Sequence, residues 1–185
     1  MSISGEMRSA IECGDLVPLP MHLDSDPQTR TLLLSKEIQE LVLGPYQSDA
    51  HESRAGMLWA DMESFVRGDE VSMCLTPYRA KTAAFGLLAP ASGATFDFRS
   101  RSPSPSLRVL GHFLAADTFV ALTWWPKRVT VEWSNKDPLG DNDLRWHLAI
   151  HECNERWFAI LPNSVAISGM KGENYVSSKL YLVGA

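Results

Sequence analysis

The sequence has few cysteines and no pattern that would organise them. Its 185 residues include three cysteines, Cys13, Cys74 and Cys153, and no Cys-x-x-Cys pair. An odd number of widely spaced cysteines predicts neither a disulfide framework nor a zinc ribbon. We therefore expect reduced thiols that are partly buried as small apolar side chains.

Long apolar runs are also missing. The most apolar stretch, residues 113–125, is interrupted by Asp117 and is too short to span a bilayer. Near the start of the chain, Glu6 and Glu12 stand where a signal peptide would need an uninterrupted apolar segment. We therefore expect a cytoplasmic protein with no membrane partner.

Several motifs of known chemistry do not occur. There is no Walker loop, no Gly-x-Gly-x-x-Gly, no Gly-x-Ser-x-Gly and no EF-hand calcium loop. His147 and His151 would share one helical face and could bind zinc, but ligands from elsewhere would be needed, and Cys153 points away from His151. We expect neither a cofactor nor a metal.

What the sequence does contain is a globular composition with an uneven charge distribution. The chain is 45% hydrophobic and 21% charged, which predicts a packed core. Its net charge is −5, yet residues 78–128 hold seven basic and two acidic residues, a net charge of +5, so the remainder carries −10. This basic middle could bind an anionic partner, or it could simply pair with acidic helices of the same chain.

Hydrophobic periodicity predicts the helices. Residues 1–30 have no sustained period and are expected to form an irregular arm, while residues 31–185 form a single domain. Helical spacing begins at Thr31 and stops at Gly44 and Pro45. Further helices are predicted over residues 49–67 and about 142–161.

Strict alternation predicts a β-meander over residues 94–128. Its strands cover residues 96–101, 107–113 and 118–125, with shorter strands possible at 71–75, 129–133 and 179–183. The predicted fold class is therefore α+β. N-terminal helices pack on a mainly antiparallel meander of three to five strands, and a C-terminal helix lies across one side.

The meander carries the candidate site residues. Arg99 and Arg101 alternate on one face of the first strand, and Arg108 shares a face with His112 on the second. Guanidinium groups fit phosphate oxygens, and the residues that we expect to bind phosphate or RNA are Arg99, Arg101, Lys127 and Arg128. Arg108, His112 and Tyr78 are the catalytic candidates, with His112 and Tyr78 as proton carriers.

The segment FDFRSRSPSPSLRVLGHFLAADTFVALTWWPKR resembles the core hairpins of the RelE/ParE/HigB superfamily of bacterial toxins. The shared pattern is an aromatic-acid-aromatic-Arg strand, an xRVxxxF strand, a turn with Asp and an apolar strand that ends in basic residues. A long helix before the meander, here residues 49–67, also fits. The resemblance implies a metal-independent endoribonuclease that grips messenger RNA on the ribosome through Arg99, Arg108 and Lys127 or Arg128. An antitoxin would then be a partner. Members are mostly small and basic, whereas this chain is acidic.

A hypothesis from another class is a non-catalytic protein-interaction module, such as a phage- or mobile-element-derived regulator or inhibitor. Trp124 and Trp125 are adjacent on one strand, so they must face opposite sides of the sheet and could bind a protein partner. The openness of the basic face separates the two hypotheses. An exposed basic groove favours RNA, and a face buried beneath the C-terminal helix favours the interaction module.

Overall fold

The computed structural model describes residues 5–23, 25–46, 48–77, 82–102, 106–126 and 141–183. Within these ranges the helices are α1 (Gly5–Glu12), α2 (Lys36–Leu43), α3 (Asp49–Arg67) and α4 (Asp141–Ile160). The strands are β1 (Leu16–Pro18), β2 (Thr31–Ser35), β3 (Val71–Cys74), β4 (Phe85–Leu87), β5 (Thr95–Ser100), β6 (Leu107–Ala115), β7 (Thr118–Pro126) and β8 (Leu180–Leu182).

All eight strands belong to one mixed sheet, in the order β1-β2-β7-β6-β5-β4-β3-β8. The pairs β2/β7, β3/β4 and β3/β8 are parallel, and the remaining neighbours are antiparallel. The α+β class is confirmed, but the prediction of a mainly antiparallel meander of three to five strands is wrong. The meander exists as β5, β6 and β7, and it forms the middle of a larger sheet.

Helices cover both faces of the sheet, so the fold has three layers. On one face, which we call the α3 face, α2 and α3 bury Ile38 and Met62 among large apolar side chains of the strands. On the other, the α4 face, α1 and α4 bury Met7 and Trp157. A strand in the middle of such a sheet is buried on both sides and shows little alternation.

This double burial explains the largest error of the sequence prediction. Residues 31–35 were expected to begin a helix, but they form β2. Leu32 and Leu34 pack into the α3 face, while Leu33 packs into the α4 face. Three consecutive leucines are buried because both faces of the sheet are covered. The spacing of apolar residues cannot distinguish such a strand from the apolar stripe of a helix.

The helix that follows is shorter than predicted and begins at Lys36. Ser35 ends β2 and caps α2, because its hydroxyl accepts a hydrogen bond from the Ile38 amide and donates one to the Leu122 carbonyl at 2.7 Å. The next helix, α3, has the predicted bounds. It begins after Ser48, which caps the His51 amide, and ends at Gly68 in the left-handed conformation.

The N-terminal segment is not the irregular arm that its composition predicted. It contains α1 and β1, and β1 pairs with β2 at the sheet edge. Glu6 holds α1 against the segment after α4, since its carboxylate accepts hydrogen bonds from the Asn163 amide at 2.8 Å and from the Ser164 hydroxyl. Elements of three to eight residues carry too few periodic positions to be recognised from spacing alone.

Candidate functional site

Arg99 and Arg108 face each other across the β5/β6 pair and share one carboxylate. The register places them directly opposite. Arg99 donates from Nε to Asp97 Oδ2 at 2.7 Å, and Arg108 donates from Nη1 to the same oxygen. Asp97 is fully buried, and both guanidiniums are largely buried. The carboxylate therefore neutralises one of the two positive charges and fixes both side chains against the sheet.

Arg108 is held from a second side by α4. Its guanidinium lies 5.4 Å from the centre of the Trp146 ring, a cation–π arrangement. Trp125, the register partner of Arg108 on β7, is half-buried and packs into the same α4-face cluster. The cation lies between a carboxylate and aromatic rings of its own chain.

His112 is the candidate proton carrier, and it is sealed under α4. Only 2% of its surface is exposed. Its Nδ1 lies 3.1 Å from the Ala94 carbonyl oxygen, so Nδ1 carries the proton and donates it. The Trp157 ring covers the imidazole at a centroid distance of 4.9 Å. Burial lowers the pKa of His112 from 6.5 to about 4, which keeps the ring neutral at pH 7.

The other imidazole nitrogen, Nε2, lies 3.8 Å from the Cys153 sulfur. A cysteine beside a histidine is the arrangement of a thiol nucleophile, but this thiol is fully buried. Burial raises the pKa of Cys153 far above its usual range, so the group is a thiol and not a thiolate. The pair therefore packs α4 onto β6 and does not present an activated nucleophile.

One further polar contact ties α4 to the sheet. The Thr95 hydroxyl donates to the Asn154 side-chain oxygen at 3.1 Å. Thr95 is the register partner of His112, so α4 contacts both strands of the β5/β6 pair through polar groups. The sequence prediction that His112 and Arg108 share a face is confirmed, and the structure adds that this face lies under α4.

The two tryptophans on β7 face opposite sides, as predicted. Trp124 packs against the α3-face cluster and Trp125 against the α4-face cluster, and both are half-buried. Their proposed role in binding a partner stays a prediction. Tyr78, Lys127 and Arg128 lie outside the described residues, so their predicted roles also remain predictions.

A pocket of about 260 Å³ opens at the end of β5, next to the closed face. Arg99 and the exposed Arg101 line it together with Asp61 of α3 and Ser72 of β3. Sequence analysis found the two arginines but missed Asp61 and Ser72. No local pattern marks those two residues, because α3, β3 and β5 are far apart in the chain.

The histidine pair on α4 does not form a metal site with Cys153. His147 and His151 are exposed on the outer side of α4, whereas Cys153 is buried on the inner side. In the described ranges, no three His, Cys, Asp or Glu side chains come together in a way that could hold a metal ion. None of the helices in those ranges is both long and apolar enough to cross a membrane.

Comparisons with known proteins give no family assignment. Searches against protein-family models, curated proteins and solved structures found no match to this chain.

Proposed function

We propose that this chain is a non-catalytic protein-interaction module. The observation that carries the proposal is the position of α4, which covers the basic face of the meander and buries His112 beneath it. A ribonuclease of the resembled type needs cations that reach phosphate and a proton carrier that reaches the 2′-hydroxyl group. Arg108 and His112, which lie under α4, serve neither purpose while α4 stays in place.

The state of each charged group supports the same conclusion. Arg99 and Arg108 already share Asp97, so the binding of a phosphate to both would compete with a buried ion pair. The pKa of His112 is about 4, whereas a general acid or base is most effective when its pKa lies near the pH of its surroundings, about 7 in the cell. The RNA-cleaving hypothesis stays a prediction, and it would require α4 to leave the sheet.

The outer side of α4 is the surface that we assign to a partner. Leu148 and Phe158 are 56% and 59% exposed. They lie ten residues apart, about 15 Å along the helix, and within one stripe of its outer side. Glu152 and Glu155 are exposed on the same side of α4. Apolar side chains interspersed with carboxylates fit a partner surface that is both apolar and basic.

A capture experiment tests this surface. The immobilised wild-type chain is compared with a Leu148→Glu/Phe158→Glu variant in lysate of the source cells. We expect a protein that binds saturably to the wild type and is lost from the double variant, because two carboxylates replace the apolar contacts. Leu23→Glu is the matched control, since Leu23 is 57% exposed elsewhere on the molecule. This control should bind like the wild type.

An RNA assay provides the outcome that would overturn the proposal. The purified wild-type chain and a folded His112→Gln variant are incubated with messenger RNA on ribosomes. We expect neither to cleave it. Cleavage by the wild type that disappears in His112→Gln would show that His112 reaches RNA, and the toxin-like hypothesis would replace the interaction module.

A further inference from the structure

The pocket at the end of β5 lies where β4 has not yet begun. Arg99 donates its backbone amide to the Ala84 carbonyl at 2.9 Å, and Ala84 is the residue before β4. The pairing therefore extends to Arg99, and the space lies beyond it, beside Arg101 and Ser102, with Asp61 of α3 on its other side. The pocket is separate from the outer side of α4.

The nitrogen donors of the Arg99 guanidinium point in two directions. Its Nε is bonded to Asp97, while Nη2 lies over Gly86, only 2.3 Å from where a Cβ atom would stand on that glycine. A residue with a side chain at position 86 would force the guanidinium away. The Nη groups make no hydrogen bond to the described residues, and Arg99 lines the pocket, so its outer edge can grip an oxyanion in bidentate fashion.

Two further groups complete the recognition surface. Arg101 is exposed and lines the same pocket, so a second guanidinium is within reach of an anion. The Ser72 hydroxyl accepts a hydrogen bond from the Ala84 amide at 2.9 Å, which leaves its own proton available to a ligand. The three charged side chains that line the pocket, Arg99, Arg101 and Asp61, carry a net charge of +1.

Asp61 gives the pocket an acceptor among donors. Burial raises the pKa of Asp61, and a hydrogen bond from the Ser100 side chain and then the charge of Arg101 partly oppose this effect. A carboxylate that lines a cationic pocket repels a bare anion but accepts a hydrogen bond from a hydroxyl group. The arrangement therefore favours a ligand that carries both an oxyanion and a hydroxyl group.

We propose that this pocket binds a small hydroxyl-bearing phosphomonoester, with the phosphate on Arg99, Arg101 and Ser72 and the hydroxyl group on Asp61. A phosphomonoester dianion carries two negative charges, so it matches two guanidinium groups better than a ligand with a single carboxylate group does. A volume of about 260 Å³ lies just below the usual range of ligand pockets, so the organic part must be small.

Binding is measured by titrating the full chain with inorganic phosphate and with glycerol phosphate at constant ionic strength, while amide shifts are followed by NMR. We expect saturable shifts that centre on the pocket residues, and tighter binding of glycerol phosphate because it alone reaches Asp61. Asp61→Asn should remove most of that preference while it strengthens the binding of inorganic phosphate, since a repelling charge is lost.

Arg101→Ala tests the contribution of the second guanidinium group. The variant should fold, because Arg101 is exposed and makes no hydrogen bond to the described residues. Loss of one charge-assisted contact should weaken the binding of both ligands about tenfold. Lys171→Ala removes an exposed cation outside the pocket and should change neither affinity. Shifts that stay linear, or equal losses in Arg101→Ala and Lys171→Ala, would show non-specific screening and overturn the proposal. Neither result depends on a protein partner at α4.

Discussion

The two faces of the central sheet use different kinds of side chain. The α3 face is mainly aromatic, and the centroids of its neighbouring rings lie 4.8–6.4 Å apart. The rings belong to Phe65, Phe85, Phe96, Phe98, Phe113, Phe119 and Tyr175. The α4 face buries an ion-paired Asp97 and a neutral His112 among fewer apolar groups. Aromatic packing dominates the α3 face, although the buried Arg30 lies 5.3 Å from the centre of the Phe65 ring and forms an ion pair with Asp117. Polar contacts contribute more to the α4 face, where they give α4 a specific position.

The largest expected loss comes from the aromatic face. Phe85 is fully buried, and four rings lie within 5.3 Å of its centroid, from Phe65, Phe98, Phe113 and Phe119. Phe85→Ala should lower the free energy of unfolding by about 4 kcal/mol, because it removes apolar burial and leaves a cavity. Urea unfolding followed by fluorescence measures this loss. A loss no greater than that of an exposed Phe158→Ala variant would contradict the description of this core.

The second largest loss is expected where Asp97 forms ion pairs with Arg99 and Arg108 on the α4 face. Asp97→Asn removes the charge that Arg99 and Arg108 share, so two cations remain next to each other in a largely buried position. We expect a loss of about 3 kcal/mol in the free energy of unfolding, since an uncompensated buried charge is costly. Asp15→Asn, at an exposed aspartate, is the control and should be nearly neutral. Equal stability of both variants would show that the cluster is not structural.

The third effect is a pH dependence that the buried His112 gives to the α4 face. The folded-state pKa of His112 is about 4, below its unfolded value of 6.5, so protonation favours the unfolded chain. Stability is therefore lost as the pH falls below about 6.5, and the His112 contribution to this loss between pH 7 and 5 is about 2 kcal/mol. His112→Gln should unfold in urea with a shallower pH dependence. His151→Gln, at an exposed site, should keep the wild-type dependence.

A smaller loss of stability is expected from removing one hydrogen bond between α4 and the sheet. Thr95→Val keeps the shape of the side chain but removes the hydroxyl that donates to Asn154. The expected loss is about 1 kcal/mol, the usual contribution of one hydrogen bond. Thermal unfolding measures it, and the double variant Thr95→Val/Asn154→Ala should lose less than the sum of the losses of Thr95→Val and Asn154→Ala. Fully additive losses would mean that the two side chains do not interact.

The length and periodicity of each element explain which parts of the fold the sequence could predict. The α3 helix and the three central strands are long and strongly periodic, and they were found with nearly correct bounds. The short strands β3 and β8 fall within the possible strands predicted at 71–75 and 179–183, but β1 and β4 carry no recognisable period and were not predicted. The parallel pairs β3/β4 and β3/β8 join segments that are distant in the chain. Parallel pairing of this kind depends on the whole fold and leaves little local trace.

The sequence could predict which residues share the face of the candidate site, but not that this face is buried. Alternation placed Arg108 and His112 on one face correctly, because side chains of a strand alternate whatever lies above them. Whether that face is open depends on where α4 docks, and the docking is decided by Trp157, Cys153 and their contacts on the sheet. A sequence pattern therefore identifies a possible catalytic group, but burial decides its charge and its access to a substrate.

The last prediction concerns the closure of the α4 face, which the reactivity of a buried thiol can measure. Cys13 is exposed, Cys153 is fully buried under α4, and Cys74 is buried in a separate cluster. A thiol reagent should therefore modify Cys13 at once and the other two only when the structure opens. If α4 detaches while the rest of the fold persists, Cys153 will react faster than Cys74, and Thr95→Val will accelerate only Cys153. If both react together at the rate of global unfolding, α4 is an inseparable part of the fold, and an RNA substrate has no route to His112. Reaction of Cys153 as fast as Cys13 would contradict a covered face altogether.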